Sequence, residues 1–114
     1  MKLKTGIDLV YLPRFKRSLQ NGGENFLKRV FLETELAHPG SKAEHLAGIF
    51  AAKEAVMKAL SLPTDSWHDI EIKYRSTGAP KLEIRGLKLE IRNSSLSISH
   101  DGKYVIAQFV AILK

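Results

Sequence analysis

Asp8 and Glu54 are the first two residues of this sequence whose types and surroundings could support chemistry. Asp8 lies in the apolar segment 6–10, and carboxylates are rare in strands and costly to bury without a partner. Glu54 lies in an alanine-rich helical pattern, where small side chains allow a ligand or another backbone to approach. Two carboxylates brought together would suit Mg²⁺, whose other ligands are commonly water and substrate phosphate. The alternatives are an Asp8 that faces water on an edge strand and a Glu54 in a surface ion pair with Lys58.

Two further side chains could act beside these carboxylates. Lys58 follows Glu54 by four residues and shares its helix face, so its ammonium could neutralise a neighbouring phosphate. His100 ends the polar run Ser97–His100, close to a turn at Gly102. A lone histidine is more often structural than catalytic. No Ser/His/Asp triad can be claimed from spacing, which carries no three-dimensional geometry.

A basic cluster of Arg14, Lys16 and Arg17 follows the Asp8 segment. Such a cluster is either a solvated helix face or a docking surface for an acidic partner. The whole chain has 18 basic and 12 acidic residues, a formal charge of +6, which favours an acidic partner. The basic residues are spread along the chain and the aromatic residues form no stacking platform. The charge alone leaves a small basic nucleic-acid-binding domain as an alternative, but these features lead us to expect no nucleic-acid partner, and the absence of a membrane-length apolar run leads us to expect no membrane partner.

Length and composition limit the class of protein further. A chain of 114 residues with 44% apolar residues is enough for one domain over 1–114. No apolar run approaches the roughly 20 residues of a membrane-spanning helix, and no signal-type segment precedes Asp8. The absence of cysteine excludes a disulfide scaffold, thiolate catalysis and a cysteine zinc site. These features lead us to expect a cytoplasmic protein.

The first half of the chain predicts a strand followed by helices. Alternating apolar residues predict a strand over 3–11. Helical patterns follow over 13–20, 24–31, 34–38 and 42–60. The last of these is the strongest, with Ser41 as the predicted N-cap and Glu44 in the capping-box position.

The second half predicts antiparallel strands. Strand patterns cover 70–74, 82–84, 96–100 and 103–113. The segment 86–92 fits either a strand or a short helix, and Asp101–Gly102 is a hairpin turn signal. The apolar strand 103–113 is expected to lie centrally in the sheet. The fold class is therefore α+β, an antiparallel sheet packed with one long and several short helices, with the first strand joining the sheet.

Taken together, these segments resemble the holo-[acyl-carrier-protein] synthases, the small trimeric class of 4′-phosphopantetheinyl transferases. The matching motifs occur in order along nearly the whole chain: Gly6–Val10, Arg14–Phe15, Arg29–Phe31, Glu35, Leu46–Gly48, Phe50–Ala55, Lys58–Leu60, Trp67–Ile72, Gly78, Pro80 and Leu96–His100. Phe50–Ala55 is the most specific of them, and the Gly-Ile-Asp and Ser-Ile-Ser-His motifs add to it.

The resemblance implies a definite reaction. Members of this family move the 4′-phosphopantetheine arm of coenzyme A to a serine hydroxyl of apo acyl carrier protein and release 3′,5′-ADP. Carried over to this chain, Asp8 and Glu54 would hold Mg²⁺, and both would act with Lys58 in catalysis. The general base stays open among Glu54, a metal-bound water and another carboxylate.

The resemblance also implies binding residues and an assembly. The residues implied to contact coenzyme A are Lys58, Pro80, Ser99 and His100. Arg14 and Arg17 would meet the acidic recognition helix of the carrier protein. Family members assemble as homotrimers with a site at each subunit interface, on the phosphopantetheinyl transferase fold.

The chain departs from the family pattern at several positions. Ile49 stands where arginine is common, Ala79 where a basic residue is common, Asp101 where serine or threonine is favoured, and Ser61–Thr64 replaces a glycine-bearing turn. Two of these changes, at Ile49 and Ala79, are expected to remove a positive charge from the coenzyme A pocket. They motivate an alternative: a paralogue that binds carrier protein or coenzyme A without turnover.

Overall fold

The computed structural model describes residues 1–38 and 42–114, and its first half contains one strand and three helices. In chain order these are β1 (Lys2–Tyr11), α1 (Leu12–Val30), α2 (Glu33–Leu36) and α3 (Ala43–Leu60). The predicted strand and the predicted long helix are both confirmed. The predicted N-cap at Ser41 lies outside the described residues, and Lys42 precedes α3 without a side-chain cap. The predicted turn over 34–38 starts one residue earlier and ends at Leu36.

The second half begins with a short 3₁₀ helix, Ser66–Asp69, which the sequence did not indicate. Four strands follow it: β2 (Ile70–Tyr74), β3 (Pro80–Ile84), β4 (Ile91–Asp101) and β5 (Tyr104–Leu113). The ambiguous segment 86–92 is irregular up to Glu90, and β4 begins at Ile91. The hairpin between β4 and β5 is confirmed, with its two-residue turn at Gly102–Lys103 rather than at Asp101.

The strands form two sheets rather than the single sheet expected. Strands β1, β5 and β4 make an antiparallel sheet with β5 in the centre, as predicted from its apolar composition. Strands β2 and β3 form a separate antiparallel pair. Residues 86–90, which connect β3 and β4, are irregular, and these two strands do not pair. The α+β class with an antiparallel sheet is confirmed.

Helix α1 replaces the two short helices predicted over 13–20 and 24–31. Its helical conformation continues through Gly22, and only Gly23 departs from it, with φ of 51° and ψ of −137°. A left-handed φ costs glycine little, so the chain bends there and the helix resumes. Pro13 lies in the first turn, where its missing N–H leaves no hydrogen bond unmade.

The main core lies between α3 and the inner face of the β1–β5–β4 sheet. The closest approach is at Gly6 of β1, where an added Cβ would overlap the carbonyl oxygen of Ala55 and lie 2.9 Å from the Ala59 nitrogen. Alanine side chains on α3 and the absence of a side chain at Gly6 therefore allow helix and strand to touch. This contact fixes the distance between β1 and α3, the two elements that carry the candidate catalytic residues.

The outer face of the same sheet is uncovered and largely apolar. Successive side chains of a strand point to opposite faces, so β1 presents Leu3, Ile7 and Leu9 on the side away from α3. Their exposed fractions are 67%, 53% and 61%. Tyr104 and Ile106 of β5 extend this apolar face across the sheet. We refer to these five residues as the outer sheet face.

Candidate active site

Asp8 and Lys58 form the centre of the candidate active site. β1 directs Asp8 toward α3, two residues beyond the close contact at Gly6. The Lys58 Nζ donates hydrogen bonds to Asp8 Oδ1 and to the carbonyl oxygen of Ile7, each at 3.0 Å. The Asp8 side chain is only 14% exposed, so the alternative in which it faces water is wrong, although β1 is an edge strand. Lys58 remains 53% exposed and can reach a bound ligand.

Glu54 lies one helical turn before Lys58 and is the second carboxylate of the site. Burial raises the pKa of Glu54, the nearby Asp8 carboxylate raises it further, and Lys58 acts in the opposite direction. Burial also raises the pKa of Asp8, against the hydrogen bond and charge of Lys58. Among the described residues Lys58 pairs with Asp8 and forms no ion pair with Glu54. The three residues predicted to act together are thus close together.

The donor set at this site fits a magnesium ion better than a zinc ion. Within residues 1–38 and 42–114, no group of three or more His, Asp or Glu side chains could hold a metal. A protein zinc site usually needs at least three protein ligands, whereas Mg²⁺ uses one or two carboxylates plus water and substrate phosphate. The Asp8 carboxylate disfavours the charged form of Glu54, and a divalent cation between the two carboxylates would offset that repulsion.

His100 lies beside a separate cavity of about 270 Å³. Its Nδ1 atom is 2.9 Å from Oε1 of Glu44, at the start of α3. Pro80 lines the same cavity, so two of the predicted coenzyme A residues share it. Gly48 forms part of its wall, and an added Cβ there would lie 3.3 Å from Ile98. The absence of a side chain at Gly48 keeps this cavity open.

Ser99 does not join His100 in this cavity. It is exposed and follows Ile98 on β4, and neighbouring strand residues point to opposite faces of a sheet. Ser99 is paired with Ile106 of β5 and lies on the outer sheet side. A contact between Ser99 and a ligand in the His100 cavity is therefore not made within one chain.

Arg14 lies near Asp8 on the first turn of α1. Both residues line an apolar cavity of about 210 Å³ whose wall includes Phe15, Phe26 and Phe50. The guanidinium carbon of Arg14 lies 5.9 Å from the centre of the Tyr11 ring, a cation–π arrangement. Arg14 is exposed at this position and can reach a macromolecule outside the cavity.

Arg17 lies on the same helix and is exposed as well.

No helix of the described residues is both long and apolar enough to cross a membrane.

Comparisons with known proteins show which family the chain belongs to. A family model described as the 4′-phosphopantetheinyl transferase superfamily matches residues 4–109. The holo-[acyl-carrier-protein] synthase of Thermodesulfovibrio yellowstonii is 40% identical, over 94% of this chain and 95% of its own. That of Koribacter versatilis is 36% identical, over 96% and 98%. The chain belongs to the holo-[acyl-carrier-protein] synthase family.

Solved structures of the family carry the same fold. The Helicobacter pylori synthase in complex with coenzyme A aligns with a TM-score of 0.86 and 32% identity, over 95% of this chain and 99% of that one. The Neisseria meningitidis synthase aligns with a TM-score of 0.83 and 30% identity, over 96% and 97%. The resemblance drawn from the sequence is confirmed.

The departure from the holo-[acyl-carrier-protein] synthase pattern at Ile49 does not affect the His100 cavity. Ile49 is fully buried and lines a different cavity of about 530 Å³, beside Glu35 and Glu71. Successive helix residues are rotated by about 100°, so Ile49 points away from the cavity that its neighbour Gly48 lines. Within one chain Ile49 therefore takes no charge from the His100 cavity, and its expected effect on the coenzyme A pocket stays a prediction. Ala79 lies one residue from Pro80 in a neighbouring cavity.

Sequence reasoning missed the buried ion pair between Lys53 and Glu35. Both side chains have no exposed surface, and Lys53 Nζ lies 2.7 Å from Glu35 Oε1. Burial lowers the pKa of Lys53, and the Glu35 carboxylate opposes that shift. The available signal was a lysine within the alanine-rich part of α3, directly after Ala51 and Ala52.

Proposed function

We propose that this chain transfers the 4′-phosphopantetheine group of coenzyme A to a serine of apo acyl carrier protein. The serine oxygen forms a bond to the β-phosphorus, the phosphoanhydride bond breaks, and 3′,5′-ADP leaves. The juxtaposition of Asp8, Glu54 and Lys58 on the fold of this family carries the proposal. We propose that residues 1–114 form one transferase domain that acts in the cytoplasm.

Phosphoryl transfer depends mainly on positioning and on neutralising charge, which suits this group of residues. Asp8 and Glu54 would hold Mg²⁺, which neutralises negative charge on the pyrophosphate when it is bound. Lys58 is fixed by its bonds to Asp8 and to the Ile7 carbonyl oxygen, with about half of its side chain free to meet a phosphate oxygen. No cysteine is required for this chemistry, and the chain contains none.

The His100 cavity is the proposed binding site for another part of coenzyme A. Pro80 and His100 line it, and Glu44 holds the imidazole in place. Because Nδ1–H of His100 donates to Glu44, the other ring nitrogen accepts a hydrogen bond from a ligand in the neutral ring and donates one in the protonated ring. Ser99, on the opposite face of the sheet, would contribute to a coenzyme A site only across a subunit interface.

We propose that the outer sheet face is the interface of a homotrimer. Large apolar patches that remain exposed on a monomer commonly mark protein–protein interfaces. Leu3, Ile7 and Leu9 are each more than half exposed and lie on the same face of β1. A cyclic trimer would bury this face and bring Ser99 of each copy to a boundary between subunits.

The acidic partner of the basic helix is proposed to be the acyl carrier protein. Arg14 and Arg17 are exposed on α1, and Arg14 shares a cavity with Asp8. A carrier protein docked on α1 would therefore present its serine close to the candidate catalytic carboxylates. The formal charge of +6 supports attraction of an acidic protein over distance.

The test is intact-mass analysis of an apo acyl carrier protein incubated with this chain, coenzyme A and Mg²⁺. We expect a mass gain of one phosphopantetheine group that chelation of Mg²⁺ abolishes. Asp8→Ala should abolish the gain, and Glu24→Ala, which changes an exposed carboxylate on α1, should leave it intact. Binding of coenzyme A without any mass gain would contradict transfer and favour the non-catalytic paralogue.

A further inference from the structure

Lys53 is a lysine without exposed surface in the second half of α3, and its ammonium donates three hydrogen bonds. The acceptors are the carbonyl oxygen of Val30 at 2.8 Å, Glu35 Oε1 at 2.7 Å and the carbonyl oxygen of Trp67 at 3.0 Å. An ammonium has three protons, so every donor of this group is used.

Both carboxylate oxygens of Glu35 accept hydrogen bonds as well. Its Oε1 accepts a second hydrogen bond from the Leu32 N–H, and its Oε2 accepts one from the Ile72 N–H, each at 2.8 Å. Lys53 and Glu35 therefore join α3 to four other parts of the fold: the end of α1, α2, the 3₁₀ helix and β2. We call Lys53, Glu35 and their hydrogen-bond partners the polar junction, in which each of these polar groups is paired.

Stability alone does not account for such a junction. Taking two charges out of water costs several kcal/mol for each ion, and apolar replacements of buried pairs are often neutral or stabilising. A fully hydrogen-bonded ion pair fixes the orientation of the groups that it joins, because hydrogen bonds weaken steeply away from their preferred angles. In the core the contacts of α3 with β1 are different in kind, since Ala55 and Ala59 meet Gly6 through van der Waals contact, and the two hydrogen bonds from α3 to β1 come from the long, half-exposed side chain of Lys58. Those contacts set a distance, and they set the rotation of the helix less sharply.

The rotation of α3 matters because its next residues form the candidate active site. Glu54 directly follows Lys53, and Lys58 lies just over one turn further on the same rigid helix. One turn before Lys53, Phe50 stacks on Trp67 with ring centroids 5.2 Å apart. Phe50 also lines the cavity that Asp8 and Arg14 share, so the junction extends to that wall of the site.

We propose that Lys53 is a positioning residue, which fixes the rotation of α3 so that Glu54 and Lys58 face Asp8. The proposal rests on the proposed transferase function. A misplacement of about 1 Å can cost about a hundredfold in rate. Loss of the Lys53 hydrogen bonds should therefore lower kcat, while the KM for coenzyme A, bound largely elsewhere, changes little.

The test compares two variants in the core around α3, one that changes the junction and one that does not. The double variant Glu35→Gln with Lys53→Met removes both charges, keeps similar volumes and leaves one acceptor for a backbone N–H. Val56→Ala, at a fully buried position of α3, leaves a cavity and removes none of the hydrogen bonds of the junction. Circular dichroism and thermal unfolding establish that both are folded at the assay temperature.

We expect kcat of the double variant to be at least about tenfold below that of Val56→Ala, with the KM for coenzyme A within about twofold of wild type. Equal kcat values in the two variants would overturn the proposal. Loss of the native circular dichroism in the double variant would also overturn it, because Lys53 would then be required for the fold itself.

A second readout separates this proposal from the transferase function. Isothermal titration calorimetry with Mn²⁺ alone should show weaker binding to the double variant than to Val56→Ala, because Glu54 no longer faces Asp8 correctly. If the wild-type chain binds Mn²⁺ and does not transfer, the transferase function fails and the positioning role is still judged by the affinities. Equal affinities in the two variants would overturn it, as would a wild-type chain that neither binds Mn²⁺ nor transfers.

Discussion

The ammonium of Lys58 lies 3.0 Å from the carboxylate of Asp8, although 50 residues separate them in the chain. The pair forms because Gly6 lets β1 and α3 pack in direct contact one turn away. A second bond, from Lys58 to the Ile7 carbonyl oxygen, holds the ammonium on the strand. The Lys58 ammonium is therefore already in place beside the carboxylates before a phosphate binds. Phosphoryl transfer requires such preorganised charge.

Lys58→Met should reduce kcat/KM for transfer by about a hundredfold or more, because a preorganised cation at the reacting phosphates is lost. Steady-state kinetics by intact-mass analysis measures this. Lys88→Met changes an exposed lysine outside the site and should leave the rate unchanged. Rates for Lys58→Met within a factor of about three of wild type would exclude a direct role for this ammonium.

Glu54→Gln should raise the thermal stability of the metal-free protein at pH 7 by a few degrees. Burial and Asp8 raise the pKa of Glu54 above its ordinary 4.5, so the folded chain binds this proton more tightly than the unfolded chain. The Glu54 contribution to stability is therefore lost as pH rises from 4.5 through the raised pKa. Glutamine does not ionise, so the Glu54→Gln variant avoids this loss of stability. Its gain in melting temperature should therefore disappear below pH 4.5, where Glu54 is protonated in both the folded and the unfolded wild-type chain.

Differential scanning fluorimetry in a chelating buffer measures these melting temperatures across pH. Glu24→Gln, at an exposed carboxylate of α1, should show no gain at any pH. Added Mg²⁺ should stabilise the wild-type chain more than Glu54→Gln and reverse their order. A wild-type chain that is more stable than Glu54→Gln without metal would contradict the pKa argument.

The sequence predicted the elements that have strong periodic patterns. The strand at Asp8, the long helix with Glu54 and the central β5 all follow from alternating or helical apolar spacing. The kink at Gly23 could not be placed, because Asn21 and both following glycines look like a helix end. The separation of β2–β3 from the larger sheet could not be predicted, because the connecting segment 86–92 fits either a strand or a short helix and is irregular up to Glu90.

The candidate site could be predicted in its residue types and only in part in its geometry. The approach of Asp8 to Lys58 agrees with the prediction that these residues act together. The position of Ser99 on the opposite face from His100 follows from strand alternation, which the motif comparison alone does not consider. The burial of Lys53 depends on carbonyl groups of Val30 and Trp67, and a sequence does not show where distant backbone carbonyls lie.

Gly6→Ala should lower the free energy of unfolding by at least about 2 kcal/mol, since an added Cβ overlaps the backbone of α3. Chemical denaturation measures the change. Gly48→Ala is the matched control, because its added Cβ meets only side chains, Ile98 at 3.3 Å and Val105 at 3.9 Å, and the helix gains from replacing glycine. Similar losses in both variants would show that the contact between β1 and α3 adapts, and that it does not fix the site.

Leu9→Glu should convert the proposed trimer to monomers, because it places a charge within the outer sheet face. Light scattering measures the molar mass, and transfer activity should fall together with the trimer. Leu89→Glu makes the same substitution at an exposed leucine outside the sheet and should leave the mass unchanged. A wild-type chain that is monomeric at the concentrations of the assay would contradict the trimer directly.

Arg14→Glu combined with Arg17→Glu should raise the KM for the carrier protein by about tenfold or more and leave the KM for coenzyme A nearly unchanged. Both arginines are exposed on α1, so the change acts on the docking of an acidic protein more than on the fold. Lys88→Glu makes one such charge reversal at an exposed loop position away from α1 and is the control. Wild-type KM for the carrier protein should rise with salt concentration, and this dependence should be weaker in the double variant because two attractive charges are gone. An equal salt dependence in both proteins would mean that the carrier protein docks elsewhere on the chain.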